Sequence, residues 1–191
     1  MRPLIKKCWK AYSLYNNLED GYGETMEIDM KLSIKVGMAD FKVCKAPNTL
    51  KTLGLGSCVG VVLYDRVKHI GGMAHIMLPD SSRLKQDGNR MKFADTAIPD
   101  MLDEMVKLGA LRMRITAKIA GGAAMFSYGT ADTDIIHVGD KNLMATRNVL
   151  ESLDIPIVAE DTGSNYGRTI VFNPETGDLF VRTAGKTEVI I

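Results

Sequence analysis

Residues 52–79 read Thr52-Leu-Gly-Leu-Gly-Ser-Cys58-Val-Gly-Val-Val-Leu-Tyr64-Asp-Arg-Val-Lys68-His-Ile70-Gly-Gly-Met-Ala-His75-Ile-Met-Leu78-Pro79. Val59 to Tyr64 is a continuous apolar run, as expected of a strand covered on both faces. Asp65 to Lys68 is a polar turn, and Ile70 to Leu78 returns as a second apolar strand. The two runs predict an antiparallel hairpin. Cys58 stands about eight residues before its turn and His75 about eight after, which brings both near the open end at similar height. A slip of one residue would put them on opposite faces.

Outward from the hairpin, Leu32, Ile34 and Val36 alternate with polar residues up to Gly37. Phe41-Lys42-Val43 is another short alternating piece, and Lys45-Ala-Pro-Asn48 a turn. Pro79 to Arg90 reads as an exposed loop. A helix follows, capped by Asp95 or Thr96, with Pro99 in its first turn. Ile98, Met101, Leu102, Met105, Val106 and Leu108 mark its apolar face, and Gly109 stops it. Arg112 to Ile119 predicts a strand broken by Gly121-Gly122. A second helix runs from Asp140 or Asn142 to Leu153, and Ile155 to Ala159 is a strand. Thr169 to Phe172 and Leu179 to Thr183 form a hairpin across Asn173 to Gly177. Strands dominate and several neighbours are hairpin-linked. The expected class is therefore mixed α/β, with largely antiparallel sheets flanked by helices.

The 191 residues suffice for one domain with a sizeable core. Residues 1–30 lack a clean period and read as a poorly ordered N-terminal extension, with 31–191 as a single catalytic domain. A short docked helix around Lys7 to Leu18, or a start nearer Met30 or Met38, are the alternatives for the extension. Net charge is +1, from 24 basic and 23 acidic residues, which argues against a nucleic-acid partner. No apolar run approaches the roughly 20 residues that span a bilayer, and no secretory leader is evident. Three widely spaced cysteines fit a reducing compartment rather than a disulfide framework. No CxxC or HxxxH spacing points to a metal.

The chemistry concentrates at Cys58. Gly54, Gly56 and Ser57 precede it in a turn whose backbone N–H groups can bind an anion, beside a thiol that can attack a carbonyl. Gly-Leu-Gly-Ser lacks the Lys-Ser/Thr ending of a phosphate loop. A lone cysteine before an apolar strand is more often inert core, and a lone histidine is more often a satisfied core residue. Together they make a nucleophile–base pair the sharper reading. Thr52 is the candidate orienter of the imidazole, although by itself it reads as a strand residue.

Thr52 to Val59, Gly71 to Pro79, Lys92-Phe-Ala-Asp-Thr-Ala97, Lys118-Ile-Ala-Gly-Gly-Ala123 and Asp161-Thr-Gly-Ser-Asn-Tyr-Gly-Arg168 together resemble the CheD chemoreceptor glutamine deamidases, in order, from about Val36 to Val181. The resemblance implies an α/β sandwich similar to toxin deamidases. It also implies a cytoplasmic enzyme that converts glutamines of methyl-accepting chemotaxis receptors to glutamates. By position it puts catalysis on Cys58, His75 and Thr52. The glycine turn itself offers Gly56 and Ser57 as the oxyanion pocket, and hydrolysis by a thiol and an imidazole needs no metal or organic cofactor. CheC, a phosphatase of the response regulator CheY, is the implied partner. Met125 and Phe126 are candidates either for partner contact or for core. The first 30 residues and Ser164, where glycine is usual, depart from the family pattern. Two rivals stand beside this reading. One is another cysteine acyl transferase, and the other is a non-catalytic adaptor that regulates CheC.

Overall fold

The computed structural model describes residues 33–82, 88–124 and 138–191. The chain divides into two units, Met1–Lys31 and Leu32–Ile191, and the described residues all lie in the second. The readings of residues 1–30 and of Met125 and Phe126 fall outside the described residues.

Among the described residues, ten strands make two five-stranded sheets. One runs β1 (Ser33–Lys35), β3 (Thr49–Leu55), β8 (Arg168–Asn173), β9 (Asp178–Arg182), β10 (Val189–Ile190) in spatial order. The other runs β2 (Asp40–Lys45), β5 (Ile70–Ile76), β4 (Val59–Asp65), β6 (Ile115–Gly121), β7 (Ile157–Thr162). Pairing is antiparallel except between β1 and β3 and between β6 and β7. Two helices, α1 (Ala94–Lys107) and α2 (Val138–Ser152), pack with Val59, Val61, Leu63, Ala74 and Ile76 on one side of the second sheet. Val62, Tyr64 and Met73 pack on its other side against Leu50, Ile170 and Phe172 of the first sheet. The layers are thus sheet, sheet, helices, the mixed and largely antiparallel α/β architecture expected from the sequence.

The β4–β5 hairpin is the middle of this stack. Every residue of both strands is buried, because β4 lies between β5 and β6 and both its faces are covered. Asp65 closes its turn. One carboxylate oxygen accepts from Val67 N–H and Lys68 N–H, the other from Leu111 N–H and Arg114. Burial alone would raise this carboxyl, but those hydrogen bonds and the guanidinium charge bring it below its ordinary value. Gly72 is required by the helix above it. A Cβ there would stand 2.9 Å from both Met101 Cγ and Met105 Sδ.

Several expected boundaries move, each for a local reason. The α1 cap is Phe93, with no side-chain hydrogen bond. Asp95 is one residue inside the helix, where it accepts from the Ser81 N–H and hydroxyl. Thr96 also turns away from a capping role and donates to Arg90 C=O. Pro99 therefore falls in the second turn rather than the first, where its missing N–H leaves the Asp95 carbonyl without an intrahelical donor. Val106 and Leu108 are exposed, so the buried face ends at Met105. Gly109 does end the helix, at φ +103°. Arg112–Arg114 forms a 3-10 turn tethered to Asp65 through Arg114, which delays β6 to Ile115. Helix α2 begins at Val138, so neither Asp140 nor Asn142 is its cap. The strand expected at Ile155 starts at Ile157.

Candidate active site

His75 is fully buried on β5 and pairs with Gly60 of β4. Its ring reaches across to the other sheet, where Nδ1 lies 2.8 Å from Thr52 Oγ1 on β3. Thr52 is fully buried too, and its hydroxyl donates to Val36 C=O at 2.9 Å. A hydroxyl has one hydrogen, and the carbonyl can only accept. With that hydrogen committed to Val36, Thr52 Oγ1 is an acceptor toward the ring. The proton of neutral His75 is then on Nδ1, and Nε2 carries the lone pair. Nε2 is buried and has no hydrogen-bond partner among the described residues. Such a nitrogen has an open lone pair that can accept a proton.

Cys58 lies two residues before Gly60, just ahead of β4, and is only partly buried. It packs against the cluster between the sheets, on the side to which His75 turns. Thiol and imidazole are thus on the same side of the hairpin, in a register two residues away from the one that would set Cys58 directly opposite His75. Because Gly60 is the residue opposite His75, Cys58 is one diagonal step further along the ladder. Burial pushes the Cys58 thiol above its ordinary value and the His75 imidazole below its own. Both shifts favour neutral thiol and neutral imidazole over a preformed ion pair.

The turn before Cys58 is narrower than the glycine pattern suggests. Thr52 to Leu55 belongs to β3, and Gly54, at φ +72°, occupies the point where β3 slips its register against β8. Gly56 N–H is engaged by Gly54 C=O at 3.0 Å. Ser57 N–H and Cys58 N–H meet no acceptor among the described residues. The donors left for an anion are those two rather than Gly56. The neighbouring carbonyls are held from outside. Ala123 N–H donates to Gly56 C=O at 2.7 Å and Gly122 N–H to Cys58 C=O at 2.8 Å. Asn142 Nδ2 donates to Ser57 C=O at 2.9 Å. Gly121 allows this approach, since a Cβ on it would stand 2.3 Å from Cys58 O.

Asp161 and Arg168 shape the adjoining loop. The Arg168 side chain is fully buried, pairs with Asp161 at 2.8 Å and donates to Gly163 C=O. Gly163 and Ser164 in turn bond Gly121 and Ala124. Sequence reasoning set Asn142 down only as a possible helix start. Its role shows once the fold lays α2 over the Cys58 turn, and no spacing in the sequence announces that contact. Among the described residues no three His, Cys, Asp or Glu side chains converge as a metal site would need. None of the described helices is long and apolar enough to cross a membrane. A concavity of about 490 Å³ lined by Arg147, Leu150, Asp154 and Ile157 lies at the other end of α2 from Asn142 and holds neither Cys58 nor His75.

A family profile described as CheD chemotactic sensory transduction matches residues 77–183. The probable chemoreceptor glutamine deamidase CheD of Lachnoclostridium phytofermentans is 54% identical over 155 residues, 81% of this chain and 96% of that protein. The chain belongs to the CheD family. The chemoreceptor glutamine deamidase CheD of Halalkalibacterium halodurans is 53% identical over 156 residues, again 81% of this chain and 96% of its own length. Among solved structures, Neisseria meningitidis protein NMB0706 aligns with a TM-score of 0.44 at 11% identity, over 74% of this chain and 67% of that one. That likeness is too loose to bear on CheD function.

Proposed function

We propose that this chain is a cytoplasmic protein-glutamine deamidase that converts glutamine side chains of methyl-accepting chemotaxis receptors to glutamates, with residues 31–191 as one catalytic domain. The proposal is supported by the CheD membership and by relatives named chemoreceptor glutamine deamidase. The observation that carries the chemistry is the Val36–Thr52–His75 chain of hydrogen bonds, which leaves Nε2 unprotonated on the Cys58 side of the hairpin.

In this mechanism Nε2 takes the thiol proton as Cys58 Sγ bonds to the carboxamide carbon of a glutamine. The developing oxyanion accepts from Cys58 N–H and Ser57 N–H. The C–N bond breaks as the imidazolium returns the proton to nitrogen, so ammonia leaves and a thioester remains. Water then gives a proton to Nε2 and its oxygen attacks the thioester carbonyl. The C–S bond breaks, the thiol regains its proton and glutamate is released. The balance is one water consumed and one ammonia formed, with no metal or organic cofactor. Thr52 keeps the imidazole in the tautomer that both steps need. CheC binding is the second role suggested by the resemblance.

Ammonia release from a chemoreceptor cytoplasmic fragment, without added amine, is the test. Wild type releases ammonia and Cys58→Ala does not. Release only on addition of a primary amine would assign the chain to acyl transfer instead.

A further inference from the structure

We propose that Asn142 is a positioning residue that aims the Cys58 N–H at the oxyanion. The proposal rests on Cys58 being the nucleophile. Asn142 is fully buried in α2, and one amide nitrogen makes two hydrogen bonds: to Ser57 C=O at 2.9 Å and to Met77 C=O at 3.0 Å. Ser57 directly precedes the nucleophile, and Met77 follows His75 by two residues, just past the end of β5. The side chain thus joins the start of β4 to the end of β5 where the two reacting groups stand.

The geometry of the peptide unit makes this more than a brace. Carbonyl and N–H of a trans peptide point in opposite directions. The Ser57 carbonyl is drawn toward α2 in the helical layer, so the Cys58 N–H of the same peptide points away from α2, toward the side on which His75 lies. Three consecutive carbonyls, of Gly56, Ser57 and Cys58, are anchored, and the outer two are held by backbone N–H groups of Ala123 and Gly122. Only the middle one, whose peptide contains the Cys58 N–H, one of the two proposed oxyanion donors, depends on a side chain. Asn142 Oδ1 is buried and has no partner among the described residues. An orphaned buried acceptor is destabilising. It is tolerated here because the amide end supplies two donors at one point, which neither Asp nor Leu of the same size can do.

Asn142→Leu keeps the number and branching of the side-chain heavy atoms and removes both donors. Thr146→Val, one turn along the same buried face of α2, is the control for a general disturbance of the helix. The receptor fragment is the substrate, and iodoacetamide alkylation of Cys58 reports the thiol–imidazole pair without needing the oxyanion donor. Asn142→Leu is expected to lower kcat on the order of 100-fold, the scale of one lost oxyanion donor. KM and the alkylation rate stay within about threefold of wild type, and Thr146→Val keeps wild-type kcat. If Asn142→Leu does not fold, Asn142→Ser, which retains one hydrogen to donate, takes its place, with kcat lowered about tenfold and alkylation unchanged. A kcat equal to wild type in the folded variant overturns the proposal, as does an alkylation rate that falls in step with kcat. Full activity in Cys58→Ala overturns the nucleophile itself, and this inference with it.

Discussion

Thr52 and His75 belong to opposite sheets, yet their side chains meet at 2.8 Å in the buried space between them. Neither strand alone makes this contact. It depends on the stacking of the two sheets, and Val36 completes it by taking the threonine's only hydrogen. The imidazole is thereby oriented by a hydroxyl rather than by a carboxylate.

Removing that hydroxyl tests the orientation. Thr52→Val preserves shape but leaves the His75 Nδ1–H without an acceptor, and the imidazole loses its preference for the productive tautomer. A 10- to 100-fold fall in kcat is expected, on the scale of impaired base catalysis. The unpaired group should also cost roughly 1–3 kcal/mol of stability. Thr52→Ser restores the hydroxyl and most of the rate. Steady-state kinetics and thermal unfolding of the two variants separate these effects.

The pH profile follows from the two opposed shifts. Burial holds His75 below its ordinary value, so the base is already neutral at pH 7 and the acid limb of kcat/KM should fall below pH ~6.5. Burial holds Cys58 above its ordinary value, so alkylation by iodoacetamide should keep rising into the alkaline range. The sign for stability is the same as for any depressed group. Neutral His75 favours the folded state above its unfolded value, and that contribution is lost as pH falls below ~6.5 toward the lower folded value. His75→Gln should flatten this part of the stability curve, as read by denaturant titrations between pH 5 and 8.

The Cys58 turn is held by close backbone approach. In Gly121→Ala the new methyl would lie against Cys58 O, in a residue already at φ +105°. Both activity and stability are expected to fall, the latter by about 1–3 kcal/mol. Gly60→Ala provides a comparison at the sheet interface, where its Cβ would stand 2.6 Å from Ile170 Cδ1. Overpacking there should cost a similar amount. Melting temperatures and deamidation rates of the two variants give the comparison.

Asp65 anchors the hairpin turn far from the chemistry. Asp65→Ala strips acceptors from Leu111 N–H, Lys68 N–H and Arg114. A loss on the order of 2 kcal/mol is expected with kcat unchanged in the protein that remains folded. Its carboxyl is held below the ordinary value, so its contribution is present above about pH 4 and fades as pH falls through the folded value. Urea titrations at pH 7 and at pH 3.5 measure both parts.

The hairpin was legible because β4 carries an unbroken apolar run and the turn is polar, whereas a run buried on both faces leaves the register open. Chain arithmetic brought Cys58 and His75 to one end of the hairpin, but Gly60 rather than Cys58 is the residue opposite His75. Thr52 was visible only as a strand residue, since the sheet-to-sheet contact that orients it joins residues 23 apart through stacking that no local pattern encodes. The α1 boundary shifted because Asp95 and Thr96 bond to Ser81 and Arg90, a tertiary use of residues that look like caps. Asn142 was hidden for the same reason, its partners being 85 and 65 residues away.

Site-resolved mass spectrometry of a chemoreceptor cytoplasmic fragment tests the central claim most directly. Incubation with wild type should add about one mass unit at each selected glutamine, the difference between amide and carboxylic acid. Cys58→Ala should leave every site at its original mass. An equal gain with Cys58→Ala would contradict the account, because the thiol would then have no part in the hydrolysis.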